Sequence, residues 1–312
     1  MTEPFTRPDV KILLGMMAAS GQPPIHEMTP VEARAMRKAS RVETEPPVGE
    51  LGVIRDLICP GPAGDIPLRL FDPRADRGPG DVIVFLHGGG FVFGDLDSHA
   101  SLCAEIARTM DLPVIAVDYR LAPEAPFPAA PVDSIVAARW IAANGVATGR
   151  EAKRLIVMGD SAGANLAIVT ASALRDDPAA VPVAAQCLIY PVTETCRDEG
   201  SGREFGEGHF LTRDGMDWFD SHYRAPDDDR RRNPMVAGLV GMPPTVIMTA
   251  SLDPLRDQGR ALASEIAKAG GDVVYLEASG TIHGFWSLRK LLPSSASDIA
   301  RCLAHLKLLV AA

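Results

Sequence analysis

The chain has 312 residues, a formal net charge of −9 and 46% hydrophobic residues. That supply of apolar side chains excludes disorder as the main state and suffices for one large domain or two ordinary ones. The excess of 40 Asp and Glu over 31 Lys and Arg argues against nucleic acid as the main partner, because phosphate backbones would be repelled.

The N-terminus, Met1-Thr2-Glu3-Pro4, has no basic leader region. The first apolar stretch, Ile12 to Ala19, is too short to span a bilayer. Both features predict a cytoplasmic protein with no membrane anchor. Residues 1–50 read as helical and polar, broken at Pro23-Pro24 and Pro46-Pro47. A helix over Pro30 to Arg41 would take Thr29 as N-cap, Pro30 as its first residue and Glu32 at the third position.

From Val53 the pattern changes. Val53 to Cys59 and Ile66 to Phe71 read as two strands joined by the turn-rich Pro60-Gly61-Pro62-Ala63-Gly64-Asp65. Short apolar runs follow at 82–86, 114–117, 155–158, 185–189, 246–248 and 273–276. Helical patterns separate them near 98–110, 132–143, 162–175 and 256–269, with a last one over Ile299 to Val310. Apolar strands alternating with helices predict an α/β fold with a mostly parallel central sheet and helices on both faces. Ligands bind such sheets at the carboxyl ends of the strands. Residues 193–233 break the alternation as a long, charged, irregular insertion.

The five cysteines, Cys59, Cys103, Cys187, Cys196 and Cys302, are odd in number and lack C-x-x-C spacing. They read as free thiols of a reducing compartment. No H-E-x-x-H or paired C-x-x-C occurs, so neither metal nor other cofactor is expected.

Gly159-Asp160-Ser161-Ala162-Gly163 lies between a predicted strand and a predicted helix. The motif arises often by chance, but the strand–turn–helix setting gives it meaning: a tight turn lifts the Ser161 hydroxyl out at the strand end. His87-Gly88-Gly89-Gly90 follows another strand and offers bare amides to a developing oxyanion. It fails as a phosphate loop, because Phe93 and Asp95 stand where Gly and Lys would be needed. His87 itself reads as structural.

A serine nucleophile needs a base, and the base needs an orienting acid, in the order Ser, Asp or Glu, His for this architecture. His283 sits in a loop after the strand 273–276, whereas His305 lies on the polar side of the last helix. His209 and His222 belong to the insertion and read as surface residues. Asp253 directly follows the strand 246–248, and its competitor Asp257 falls inside the next helix. Ser161, Asp253 and His283 are therefore the expected catalytic residues.

His87-Gly88-Gly89-Gly90-Phe91, Asp118-Tyr119-Arg120-Leu121-Ala122-Pro123-Glu124, Gly159-Asp160-Ser161-Ala162-Gly163, Asp253-Pro254-Leu255-Arg256-Asp257 and His283-Gly284-Phe285 together resemble the hormone-sensitive-lipase-like esterases, bacterial family IV of the α/β-hydrolases. The resemblance runs from about residue 50 to the C-terminus. It implies an α/β-hydrolase catalytic domain over residues 51–312, with residues 1–50 and the insertion 193–233 as a helical cap. It makes Ser161 the nucleophile, Asp253 the acid and His283 the base. It draws the oxyanion hole from the amides of Gly89 and Gly90 with that of Ala162, keeps Gly88 as a substitute for one of them, and does not settle which two point inward. Ala164 stands where the family often has Gly, and is expected to narrow the site slightly. Asp257-Gln258-Gly259 replaces the family's Asp-Glu-Gly. The segment Asp118 to Glu124 is expected to brace the loop beneath the site.

The implied reaction is hydrolysis of short- to medium-chain acyl esters, with a small-molecule ester as partner. An amidase or lactonase would use the same residues. A non-catalytic ligand receptor is disfavoured because His283 is present. Phe91, Phe210, Trp218 and Phe285 are the expected substrate contacts, with Phe205 and Phe219 as further candidates for the cap wall. The apolar positions Val10, Ile12, Leu13, Leu14, Met16 and Met17 are expected over the mouth of the site. A homodimer stays open.

Overall fold

The computed structural model describes residues 4–194 and 198–311. The chain opens with helices α1 (Pro8–Ala19) and α2 (Pro30–Thr44). Strands β1 (Val53–Gly61), β2 (Gly64–Asp72) and β3 (Gly80–Leu86) follow, then helix α3 (Ala100–Met110) and strand β4 (Val114–Val117). Next come α4 (Ala129–Ala143), the short α5 (Gly145–Thr148), β5 (Ala152–Asp160), α6 (Ala162–Asp176) and β6 (Val183–Ile189). The chain closes with α7 (Gly200–Phe205), α8 (Arg213–Tyr223), β7 (Thr245–Leu252), α9 (Arg256–Lys268), β8 (Val273–Ile282) and α10 (Ala296–Ala311).

Eight strands form one sheet in the order β1-β2-β4-β3-β5-β6-β7-β8. β2 pairs antiparallel with both β1 and β4, and the other pairings are parallel. Parallel strands buried on both faces must be apolar throughout, with successive side chains pointing to opposite sides. Val82, Val84 and Leu86 of β3 enter one core cluster with α4, α6 and α9, while Ile83 and Phe85 enter the other with α3 and α10. Leu155 and Val157 of β5 divide from Ile156 and Met158 in the same way. The expected two-faced α/β sheet is the observed one.

Helix α2 begins as its sequence predicts. Thr29 accepts from the Glu32 amide, and the Glu32 carboxylate accepts from the Thr29 amide, so two otherwise unpaired donors are satisfied. Helix α1 departs from expectation. Val10 and Leu13 are buried in the same cluster as α3 and α10, whereas Ile12, Met16 and Met17 are exposed. Arg7 explains the placement: its amide donates to the Gly280 carbonyl, and its guanidinium reaches Asp298 at 2.6 Å. These contacts draw α1 onto β8 and α10.

The insertion, irregular by its sequence pattern, holds two helices, α7 and α8, in keeping with the helical character that the resemblance implies. Thr212 caps α8 by accepting from the Gly215 amide, and Met216, Trp218 and Tyr223 give the helix a buried side. The Trp218 indole donates to the Met28 carbonyl at 3.0 Å, tying the insertion to the N-terminal segment.

Cys59, Cys103, Cys187 and Cys302 are buried free thiols, as expected; Cys196 lies outside the described residues. No helix among the described residues is long and apolar enough to cross a membrane.

Candidate active site

Ser161 sits between the end of β5 and the start of α6 with φ 55° and ψ −119°. A positive φ costs a non-glycine residue energy, so surrounding contacts must hold it. Its amide donates to the Ile189 carbonyl at 2.8 Å, and its carbonyl accepts from Ala164 and Asn165. Gly159 and Gly163 flank the turn. A Cβ on Gly163 would strike the carbonyl oxygens of Leu86 and His87, and one on Gly159 would strike Gly163. The motif's glycines are thus demanded by backbone closeness. Ala164 is fully buried in the core cluster, so its methyl does not narrow the site as expected.

Three strand ends converge on Ser161. His283 follows β8 directly, and its Nε2 lies 2.8 Å from Ser161 Oγ. His283 Nδ1 lies 2.7 Å from Asp253 Oδ2, and Asp253 follows β7. The other Asp253 oxygen accepts from the Leu255 amide at 2.8 Å. A carboxylate only accepts hydrogen bonds, so this geometry puts the imidazole proton on Nδ1 and leaves Nε2 free to accept from Ser161. Asp253 is wholly buried and His283 nearly so.

Asp257 is not in this relay. It lies in the first turn of α9, where its Oδ2 accepts from the Ser201 amide at 2.8 Å. Burial would raise its pKa, but the Arg256 hydrogen bond and the Ser201 amide outweigh that and hold it low. The residue fastens α7 to α9. Gln258 fastens the start of the insertion, accepting from the Thr193 amide at 2.9 Å. His305 lies on α10, and neither it, His209 nor His222 joins the relay.

The glycine loop sets Gly88 apart from Gly89 and Gly90. The Gly88 amide donates to Asp160 Oδ1 at 2.8 Å, so its N–H is already spent. Among the described residues the amides of Gly89, Gly90 and Ala162 have no such partner. Ala162 is the first residue of α6, where helix N–H groups are unpaired by construction. The segment after β4 braces the loop as expected. Tyr119 Oη donates to the His87 carbonyl at 2.6 Å, Ala122 donates to the Phe91 carbonyl, and Arg120 grips Asp133 with two nitrogens.

Behind the loop lies a buried polar cluster that sequence reasoning missed. His87 stacks on Tyr119 at 4.2 Å and on His99 at 5.4 Å. His99 Nε2 is 3.4 Å from Asp160 Oδ1. Burial alone would raise the Asp160 pKa, but His99 and the Gly88 amide outweigh it and lower the pKa. Burial, followed by the neighbouring His99, pushes His87 down to about 4. An unfolded histidine titrates near ~6.5, so His87 favours the fold fully above that pH and loses its contribution as pH falls toward about 4. The loss is on the order of 3 kcal/mol. Asp118, raised to about 6 by burial, works in the opposite sense. The test is therefore a comparison. Urea midpoints between pH 7 and pH 4 are expected to fall less steeply in His87→Phe than in the parent, and equal slopes would assign the acid sensitivity elsewhere.

The expected substrate contacts divide. Phe91 and Phe285 are core residues: Phe91 stacks on Tyr223 at 3.9 Å, and Phe285 is wholly buried against Tyr190. Trp218 is buried and spent on Met28, and Phe205 is buried as well. Phe210 lies against Gly284, the residue after His283. Phe219 lies over Gly90, where an added Cβ would strike its ring. Its number had given no preference over Trp218, because neighbouring helix positions point about 100° apart and the facing element was unknown.

Comparison with known proteins identifies relatives of the chain. Residues 83–287 match the family described as alpha/beta hydrolase fold. The ethyl acetate hydrolase of Pseudomonas putida is 33% identical, covering 91% of this chain and 92% of that protein. The carboxylesterase NlhH of Mycobacterium tuberculosis is 34% identical, with 98% of each chain covered. Among solved structures, the ester hydrolase EH1AB1 from the metagenome of Lake Arreo superposes with a TM-score of 0.91 at 37% identity, covering 98% of this chain and 100% of that one. The chain belongs to the hormone-sensitive-lipase-like, family IV esterases of the α/β-hydrolase superfamily.

Proposed function

We propose that this carboxylic ester hydrolase cleaves short- to medium-chain acyl esters through Ser161, His283 and Asp253. The observation that carries the reading is the unbroken relay from Ser161 Oγ through His283 to Asp253, with contacts of 2.8 and 2.7 Å, at three strand ends. Its members lie close enough for proton transfer without rearrangement.

In this mechanism His283 Nε2 takes the Ser161 proton as Oγ attacks the acyl carbon. The carbonyl oxygen gains negative charge, and the amides of Gly89, Gly90 and Ala162 receive it. Removing one such donor costs about 10²–10³ in turnover in other hydrolases. His283 then gives its proton to the leaving alcohol. A water molecule attacks the acyl-enzyme with His283 as base, releasing the acid and restoring Ser161. Asp253 holds the imidazole tautomer throughout. No cofactor takes part.

The N-terminal segment and the insertion form the cap over this site. Phe219 above Gly90 and Phe210 beside Gly284 support a closed apolar wall. Such a wall gains about 0.8 kcal/mol for each methylene it removes from water. It also ends, so kcat/KM is expected to rise over the first few acyl carbons and fall for long chains. Deleting residues 1–40 would remove Val10, Leu13 and Ala33 from the core and Arg34 from Glu124 and Val92. The truncated chain is expected to aggregate more readily and to lose its short-acyl selectivity. An unchanged acyl-length profile with unchanged solubility would show that the segment is not a cap. Nitrophenyl esters assayed beside anilides and lactones separate esterase from amidase or lactonase activity, and faster turnover of either rival class would reassign the substrate.

A further inference from the structure

Helix α2 carries three arginines on one side, at Arg34, Arg37 and Arg41, spaced three and four residues apart. Arg34 pairs with Glu124 and donates to the Val92 carbonyl. Arg41 pairs with Asp97 at 3.6 Å. Arg37 stands between them, and among the described residues its guanidinium has no hydrogen-bond or ion-pair partner.

Aromatic rings hold it instead. Its central carbon lies 5.4 Å from the Phe93 ring centre and 5.8 Å from that of Phe210. Both rings border the relay. Phe93 meets Phe219 edge-on at 5.2 Å, and Phe219 covers Gly90. Phe210 lies against Gly284, next to His283. Arg37 therefore touches one ring from the segment after the glycine loop and one from the insertion. Its side chain keeps accessible surface, yet burial by the surrounding protein pulls its pKa below the ordinary arginine value, with Asp160 and Tyr190 acting the other way. A solvent-accessible cation fixed between two rings, with no protein partner for its donors, can receive an anion.

Resting on the esterase reading, we propose that Arg37 binds a carboxylate of the substrate, so that preferred substrates are esters bearing a free carboxylate a few atoms from the scissile carbonyl. The planar guanidinium offers two parallel N–H groups to such a group, and the rings fix its plane. Neutral esters of the same length would place apolar or ester atoms against the cation and leave its donors unpaired.

The test compares kcat/KM for matched pairs. Monoethyl succinate against diethyl succinate puts the carboxylate on the acyl side. Acetoxyacetate against its ethyl ester puts it on the alcohol side. The parent is expected to favour the anion in at least one pair, chiefly through KM. Arg37→Gln should lower the ratio of anionic to neutral kcat/KM by about 10- to 100-fold, the range for one charge-assisted pair. Arg37→Lys should recover part of it. Lys38→Gln, which removes an exposed positive charge one residue along, should leave the ratio unchanged. In a parent that hydrolyses either pair, the absence of an anionic preference from both, or a ratio that survives Arg37→Gln, overturns the proposal. Calorimetric binding of both anions to Ser161→Ala, with and without Arg37→Gln, reads the same contact without turnover. Binding that depends on Arg37 in a parent that hydrolyses neither pair would sustain the carboxylate seat and fail the esterase reading. Binding indifferent to Arg37 would fail the seat alone.

Discussion

Ser161→Ala is expected to lower kcat/KM for a nitrophenyl ester by about four to six orders of magnitude. The size follows from removing the attacking atom itself, since the relay of His283 and Asp253 then has no oxygen to activate. The fold should survive. Alanine keeps the Cβ at φ 55°, and the Ser161 amide still donates to Ile189. Only the hydroxyl contact to His283 is lost, and one hydrogen bond is worth roughly 0.5–1.5 kcal/mol. Thermal unfolding of parent and variant measured beside the rates separates chemistry from stability. Activity within tenfold of the parent, in a folded variant, would end the serine mechanism.

The second large effect is expected at Asp253. Asp253→Asn should cost on the order of 10⁴ in kcat. The structure gives the reason atom by atom. The Leu255 amide donates to Oδ1, which fixes that position as an acceptor. In asparagine the carbonyl oxygen would keep that bond, and the NH₂ would face His283 Nδ1 in place of Oδ2. Nδ1 would then have to accept, the ring proton would move to Nε2, and Nε2 could no longer take the Ser161 proton. Asp257→Asn should act differently. It weakens the Arg256 and Arg260 pairs, and is expected to shift unfolding by less than about 1 kcal/mol and turnover only a few-fold. The reverse ranking in kcat would make Asp257 the acid.

The parts of this molecule that depend on chain order and local period were legible. Strands β3 and β5 are continuous apolar runs, and alternation alone divides their side chains between two cores. Ser161, Asp253 and His283 follow three strands in sequence, so the parallel sheet brings their loops to one edge. The aromatic contacts were not legible, because they depend on which side of a helix meets which loop. Phe91 and Phe285 stand next to motif residues and yet turn into the core. Phe91 has φ 63°, a conformation that no local sequence rule demanded. The spent Gly88 amide escaped for a similar reason: its partner, Asp160, is the variable letter of G-x-S-x-G, and only the packed strand ends bring the two together. Arg37 is one of three arginines on α2, and what distinguishes it is the absence of a partner. A single helix sequence cannot express that.

The contact between Arg7 and Asp298 spans 291 positions of the chain. At a synthesis rate of roughly 5–20 residues per second, Asp298 emerges roughly 15–60 s after Arg7. Until then Val10 and Leu13 have no finished core to enter, and Ile12, Met16 and Met17 stay exposed even afterwards. Helix α1 thus leaves the ribosome well before its docking site is complete, and for that interval it presents an apolar surface that chaperones can hold and neighbouring nascent chains can stick to.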